Sequence, residues 1–295
     1  MADLALTGVT ERPSRWRLAS ARGGARLWLG AALVAVLLLI AIFAPLLAPH
    51  DPVEQDLMSA QLPPAWMTGG EWAHPLGTDS LGRCVLSRLI FAARTAVEVA
   101  AIAASLAAAI GIAFGLLAGS FGGWIDQGVS RLIDVWMAFP PVLLSIVLAA
   151  VIGAGLTSVV AAIVVVDWTR FARVVRAETL SQLQRDYAAA ARVLGLTRGQ
   201  ILRFEILPNL VPLIVTLIAV EMGIAVLVEV ILSFVGISVA GDTPTWGGMI
   251  VEGRQIVYQA PWIMALPIVS VIATVIGFNL LGDGLRAALD PVHRQ

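Results

Sequence analysis

Lysine is absent from this 295-residue chain, and all 19 basic side chains are arginines. Without a lysine amine the chain can form neither a phosphate-binding P-loop nor a Schiff base. Cysteine occurs once, at Cys84, so an internal disulfide is excluded and no cysteine-based metal site is expected. Histidine occurs three times and never within a strongly apolar run. Only 13% of residues are charged, roughly half the usual share, and the net charge is −1. No basic field is present to recruit nucleic acid. Apolar residues fill the space instead, at 59% of the chain with a mean hydropathy of +0.88. That excludes both an ordinary soluble domain and a disordered chain.

A helix needs about 20 mainly apolar residues to cross the hydrocarbon of a membrane. Six stretches qualify: Leu27–Leu47, Thr95–Leu117, Leu132–Ile152, Thr157–Phe171, Leu210–Ile237 and Trp262–Leu281. The fourth is the shortest and carries Asp167. Continuous apolar runs, rather than alternation, indicate helices and not a barrel. The expected fold is therefore all-α with six transmembrane helices. The first stretch exceeds the ~7–15 apolar residues of a cleaved signal sequence, so it is expected to remain as a span.

Arginines near span ends set orientation. Arg12, Arg15, Arg17, Arg22 and Arg26 precede the first span. With that end inside, 15 of the 19 arginines are cytoplasmic, and Arg83, Arg88, Arg94 and Arg254 are outside. Both termini are then cytoplasmic. The division along the chain is a cytoplasmic segment 1–26, a first helix with its extracytoplasmic loop 27–93, a five-helix domain 94–285 and a tail 286–295.

The first outer loop, from His50 to about Arg94, is acidic and follows Pro49; it holds Pro52, Pro63, Pro64 and Pro75. Proline restricts its own backbone and that of its predecessor, so this loop should be irregular or only briefly helical. The second, Ser238 to Pro261, has tight-turn residues from Gly241 to Gly248. No internal repeat stands out, which disfavours a carrier built from inverted repeats.

The connection between the fourth and fifth spans, about 177–207, is too polar to span and too regular to be a tether. Leu180, Leu183, Tyr187, Ala190, Ala191 and Leu194 recur at helical spacing. Gly195 suits the left-handed position that ends a helix. Thr197-Arg-Gly-Gln200 has the capping-box pattern that starts another. Pro208 suits the first turn of the fifth span. A stiff helix with four consecutive alanines admits close approach of another backbone. Docking in a partner's groove and resting on anionic lipid both fit that pattern.

Among charged residues in the spans, Glu221 and Glu229 fit helix–helix hydrogen bonding or a place on a pathway. Asp167 is spaced to pair with Arg170, and Glu98 is near enough to an end to reach water. Gly111, Gly115 and Gly119 form a small-residue row suited to tight helix packing. Pro140-Pro141 should kink the third span.

Tyr187-Ala-Ala-Ala-Ala-Arg-Val-Leu-Gly195 with Ile206-Leu-Pro-Asn209 resembles the "EAA" loop of permeases in binding-protein-dependent ABC importers. His74-Pro-Leu-Gly-Thr-Asp-Ser-Leu-Gly-Arg83, Leu86-Ser-Arg-Leu-Ile90 and Phe121-Gly-Gly-Trp-Ile-Asp126 narrow the likeness to the dipeptide/oligopeptide/nickel class, and to the second, C-type permease of its pair. So do Arg131-Leu-Ile-Asp134, Ala138-Phe-Pro140, Glu229-Val-Ile-Leu-Ser-Phe-Val-Gly236 and Pro244-Thr-Trp-Gly247. Asn279-Leu-Leu-Gly-Asp-Gly-Leu-Arg286 and Leu289-Asp-Pro291 extend the match, which runs in order from about Leu27 to Pro291. Three positions depart from the pattern: Ala189 replaces the glutamate that gives the loop its name, Glu205 replaces a histidine, and Cys84 replaces an aspartate.

The resemblance implies a type I ABC importer transmembrane fold in a bacterial inner membrane. It implies an ATPase-coupling loop carried by Tyr187, Ala189, Ala190, Ala191, Arg192, Gly195 and Pro208. It places Glu229, Ser233 and Phe234 in the segment that resembles the family's pathway-lining region. Implied partners are a second homologous permease, two ATP-binding-cassette ATPases that bind ATP and magnesium, an extracytoplasmic substrate-binding protein, and membrane lipid. The chain itself is expected to hold no cofactor and to catalyse nothing. Peptides are the default cargo, with nickel chelates and glutathione as alternatives. The rival reading is an ion-coupled secondary transporter acting alone. An intramembrane hydrolase lacks a Ser–His or two-aspartate constellation, since no histidine lies within a span.

Overall fold

The computed structural model describes residues 15–237, 239 and 243–289, with side chains from residue 24 onward. The motif ends at Asp290 and Pro291, the glycine of the turn at Gly241 and the orientation arginines Arg12 and Arg294 lie outside the described residues. So do the side chains of Arg15, Arg17 and Arg22. The all-α expectation holds: the described residues contain one isolated antiparallel bridge, Thr78 to Cys84, and no sheet.

The helices are α1 (Arg15–Ile42), α2 (Ala44–Leu47), α3 (Val85–Phe121), α4 (Gly123–Met137), α5 (Pro141–Ile152), α6 (Leu156–Leu183), α7 (Asp186–Val193), α8 (Arg198–Gln200), α9 (Leu207–Phe234), α10 (Trp246–Gln255) and α11 (Pro261–Leu289). Among the described residues, four helical stretches are long and apolar enough to cross a membrane: Gly24–Ile42, Val85–Phe121, Arg198–Phe234 and Pro261–Leu289. The pair α4 and α5 makes a fifth if counted as one broken span. The fourth expected stretch, Thr157–Phe171, lies inside α6. That helix is regular, but it carries Asp167, Arg170, Arg173 and Arg176 and is less apolar than the other candidates.

Two spans differ from their expected form, and proline explains both. Leu132–Ile152 is not one kinked helix: α4 and α5 meet at 86°. Pro140 adopts ψ 121°, the extended value favoured before another proline, and Pro141 then opens α5. The fifth span begins earlier than Leu210. Helix runs from Arg198 through a widened, π-type stretch at Ile201–Ile206 and straight on into α9. Pro208 is the second residue of α9, as expected, but the helical run that contains it has already begun at Arg198. The proline has no N–H to give and its ring crowds the carbonyl four residues back, which the wider turn relieves. The Asn209 side chain donates to the Glu205 carbonyl at 2.7 Å, satisfying one of the groups this loosens.

The main core lies among α3, α6, α9 and α11, with α1 packed along α11. The expected glycine row packs α3 directly on α6. A methyl group added at Gly111 would sit 2.4 Å from the Trp168 carbonyl oxygen and 2.4 Å from Phe171 Cβ. At Gly115 it would sit 2.8 Å from the Ala172 oxygen, and at Gly119 2.7 Å from Thr179 Cβ. Two ion pairs add α4 to α6: Arg176 holds Asp126, and Arg173 reaches Asp134 at 3.3 Å. The motif segments Phe121–Asp126 and Arg131–Asp134 thereby acquire a packing role.

The loop after α2 is irregular, with a single 3-10 turn at Leu57–Ser59. It is pinned by buried charge. Asp79 accepts from the Leu81 and Arg83 amides at 2.9 and 3.0 Å and from Arg83 Nε at 2.7 Å. Arg88, on the first turn of α3, holds Asp79 as well. Both guanidiniums also reach Glu252 on α10, Arg83 at 2.9 Å and Arg88 at 3.1 Å. Loop, α3 and α10 are thus joined through one network.

Three outcomes are expected. Gly115→Leu should destabilise the purified protein by about 1–3 kcal/mol through overpacking against α6. Gly128→Ala, on α4 with nothing within 4 Å of the added methyl, should be neutral or mildly stabilising. Unfolding midpoints in detergent compare the two. Asp79→Ala should cost about 3–5 kcal/mol by leaving buried guanidiniums undercompensated, read as a loss of folded yield and of thermal midpoint.

Candidate functional site

The segment 177–207 is built as two helical pieces with a break that the sequence pattern does not show. α6 continues to Leu183, the chain turns at Gln184–Arg185, and α7 begins at Asp186. Side chains of α7 fold back onto the end of α6. Arg192 Nη2 donates to the Leu183 carbonyl at 2.6 Å, and the Tyr187 hydroxyl donates to Gln182 Oε1 at 2.6 Å. Burial holds the Tyr187 phenol above its usual value, so it remains a donor. Gly195 ends the helix at φ +86°, and the Leu196 amide donates to the Ala191 carbonyl at 3.1 Å. The expected capping box follows: Thr197 N–H donates to Gln200 Oε1 at 2.8 Å and Gln200 N–H to Thr197 Oγ1 at 3.4 Å.

The break resets the helical phase, so the residues that recur at helical spacing do not share one face. Ala188 and Ala191 face inward onto Val175, Ile201, Ile206 and Leu210. Ala189, Ala190, Val193 and Leu194 face outward, with Val193 88% and Leu194 80% exposed. Ala191 therefore belongs to the packing of the loop and not to its outer face. Ala190 and Leu194, grouped by spacing with Leu183, point the other way. Arg192 and Pro208 are exposed and Tyr187 is half-buried. Val193 and Leu194 are the outward residues that sequence reasoning missed. Their i, i+4 relation to Ala189 and Ala190 is the signal that, once the break is known, would have found them.

Glu229, Ser233 and Phe234 do not form one open surface. Glu229 is 1% exposed and accepts from Ser233 Oγ at 2.6 Å. Thr245, the N-cap of α10, donates to Ser233 Oγ at 3.3 Å. Gly247 brings the α10 backbone so close that an added Cβ would meet Ser233 Cβ at 2.4 Å. Glu229 and Ser233 thus seat α10 on α9 within this chain. Phe234 is exposed, with the Arg254 guanidinium 5.4 Å from its ring centroid. Asp167 pairs with Arg170 at 3.4 Å as expected, and Arg170 also reaches Glu221 at 3.3 Å, joining α6 to α9. Glu98 is exposed and pairs with Arg94 at 2.9 Å.

Against the expectation of no cysteine-based cluster, His50 and His74 lie beside Cys84. The three come from separate stretches of loop with no recognisable spacing, so the sequence carries no signal for them. Burial, then the neighbouring His50, holds the His74 imidazole below its usual value, so it is neutral near pH 7.

Residues 111–295 match the family described as binding-protein-dependent transport system inner membrane component. Residues 26–64 match the N-terminal transmembrane domain of oligopeptide transport permease C. The chain is 38% identical over 300 residues to the dipeptide transport system permease protein DppC of Haemophilus influenzae, covering 100% of both. It is 40% identical over 267 residues to the protein of that name in Escherichia coli K12, covering 90% of this chain and 89% of the relative. It is 37% identical over 261 residues to the glutathione transport system permease protein GsiD of Shigella dysenteriae, covering 88% and 84%. On this evidence the chain belongs to the binding-protein-dependent transport system inner membrane components, as a multi-pass permease subunit of the inner membrane.

Proposed function

We propose that this permease forms half of the membrane pathway of an ABC importer for short peptides. The cargo rests on the names of the similar proteins, which transport dipeptides and, in one case, glutathione, itself a small peptide. A second permease completes the pathway, an extracytoplasmic binding protein delivers cargo, and two separate ATPases bind ATP and magnesium. Six membrane helices with both termini cytoplasmic accommodate the arginine distribution, α6 and the bent α4–α5 pair each serving as a span.

The observation that carries this reading is the outward face of α7. Apolar side chains at Val193 and Leu194 stand exposed on a helix whose other face is locked to Val175 and Leu210. A short helix held on one side and bare on the other suits a partner's cleft. The lock makes it a lever: force applied to α7 passes to α6 through Val175 and to α9 through Ile206 and Leu210. ATP-driven closure of the ATPases then biases the spans between inward- and outward-facing states. Phe234 and Arg254 border the pathway, and Glu229 and Ser233 act there by holding α10 on α9.

The expected outcome for Gly195→Pro is a purified, correctly inserted complex that hydrolyses ATP but imports at least about tenfold less labelled dipeptide into proteoliposomes. Proline cannot adopt φ +86°, so the stop that sets α7 is lost. Leu194→Asp should weaken assembly with the ATPases, read by co-purification. Normal ATP-coupled uptake in both variants would overturn the coupling role. Ion-gradient-driven uptake by this chain alone would overturn the whole reading in favour of a secondary transporter.

A further inference from the structure

The loop between α2 and α3 brings together three side chains whose chemistry the transport reading does not use. Cys84 is 2% exposed at the start of α3. The rings of His50 and His74 stack with centroids 4.5 Å apart and planes at 25°. One ring nitrogen from each and the Cys84 sulfur lie within 4.8 Å of one another. Nδ1 of both rings is buried with no hydrogen-bond partner. A buried polar atom left unpaired costs stability, and native structures hold few of them. Here two such nitrogens belong to the rings that lie beside a buried thiol.

We propose that His50, His74 and Cys84 form a binding site for one zinc ion, which fastens the loop to the first turn of α3. Zinc takes imidazole nitrogen and thiolate sulfur, and an open fourth position is filled by water. Tetrahedral bonding places neighbouring ligand atoms about 3.3–3.7 Å apart, so the side chains close by about 1 Å on binding. Magnesium and calcium need oxygen donors, and the cluster offers none.

The backbone under each ligand is already held. The His50 amide donates to Ser87 Oγ on α3 at 3.1 Å. The Gly77 amide closes the His74 turn at 2.8 Å, and the Val85 amide donates to the Gly77 carbonyl at 3.1 Å. Cys84 is bridged to Thr78. Little ordering remains to oppose binding. As the sulfur–metal bond forms, the thiol proton leaves to solvent, and metal plus thiolate carry one net positive charge.

The test uses the untagged full-length chain in detergent, stripped with a chelator and titrated with Zn2+ against a chromogenic competitor, and in parallel with Co2+. The wild-type chain should bind one equivalent of Zn2+, and the Co2+ form should show a thiolate-to-metal charge-transfer band. Cys84→Ser should abolish that band, and Cys84→Ser and His74→Asn should each weaken Zn2+ binding by at least about tenfold. Serine is a preferred N-cap residue, so Cys84→Ser does not disturb the start of α3. A monodisperse size-exclusion profile confirms that each variant is folded. Absence of stoichiometric Zn2+ binding in the wild-type chain, or equal binding by wild type and Cys84→Ser, would overturn the site. Either result leaves the peptide-transport reading untouched, since that is tested at α7.

Discussion

Two apolar helices gain little by meeting each other inside hydrocarbon, because lipid tails are as apolar as leucine. What remains is close backbone packing, and in this chain that constraint falls on the contact of α3 with α6. Gly111, Gly115 and Gly119 remove the side chains that would stand between them, and the α6 carbonyls of Trp168, Ala172 and Arg176 fill the space. α6 needs this support most, since its second half carries Arg170, Arg173 and Arg176. Once α6 is fixed, Val175 is placed to receive Ala188 and Ala191, and the whole loop is set on the end of that helix.

Charge is handled in two ways. The Asp79–Arg83–Arg88–Glu252 network is densely cross-bonded, though Arg88 Nε is buried without a partner, and it joins loop, α3 and α10. The acids of α9 are less fully satisfied: Oε1 of Glu221 and Oε2 of Glu229 are buried without a hydrogen-bond partner. A buried carboxylate oxygen without a donor is costly in either a protein interior or a membrane. The network at the start of α3 therefore serves as a fastening. The α9 acids sit at two helix contacts, one with α6 through Arg170 and one with α10 through Ser233, where movement of either neighbour changes their environment.

Much of this was legible in the sequence where the signal is local. The glycine stop at Gly195, the capping box at Thr197 and Gln200, and the Asp167–Arg170 pair depend on residues within a few positions of each other, and the structure has each of them. The glycine row told of a tight contact but not of its partner, because the partner lies on α6. What failed was phase and continuity. A helical repeat drawn through Leu183 and Leu194 assumes an unbroken axis, and the turn at Gln184–Arg185 rotates everything after it. Pro140-Pro141 was readable as a perturbation, but not the size of the bend, which is 86°. Pro208 was expected in the first turn of the fifth span and is the second residue of α9; the widened turn that joins α9 to the helix before it had no such local signal. The His50–His74–Cys84 cluster had no local signal, since it exists only because the loop folds back on α3.

The departures from the family loop take on a physical meaning once α7 is placed. Ala189 lies on the exposed side with Ala190, Val193 and Leu194, so a glutamate there would put a charge on the outward face. Its absence leaves that face small and apolar. Glu205 lies at the widened turn, where its carbonyl takes the Asn209 side chain. That contact uses the backbone of residue 205 and not its side chain. The lock between α7 and α9 rests instead on Ala188, Ala191, Ile206 and Leu210, none of which depends on either departure.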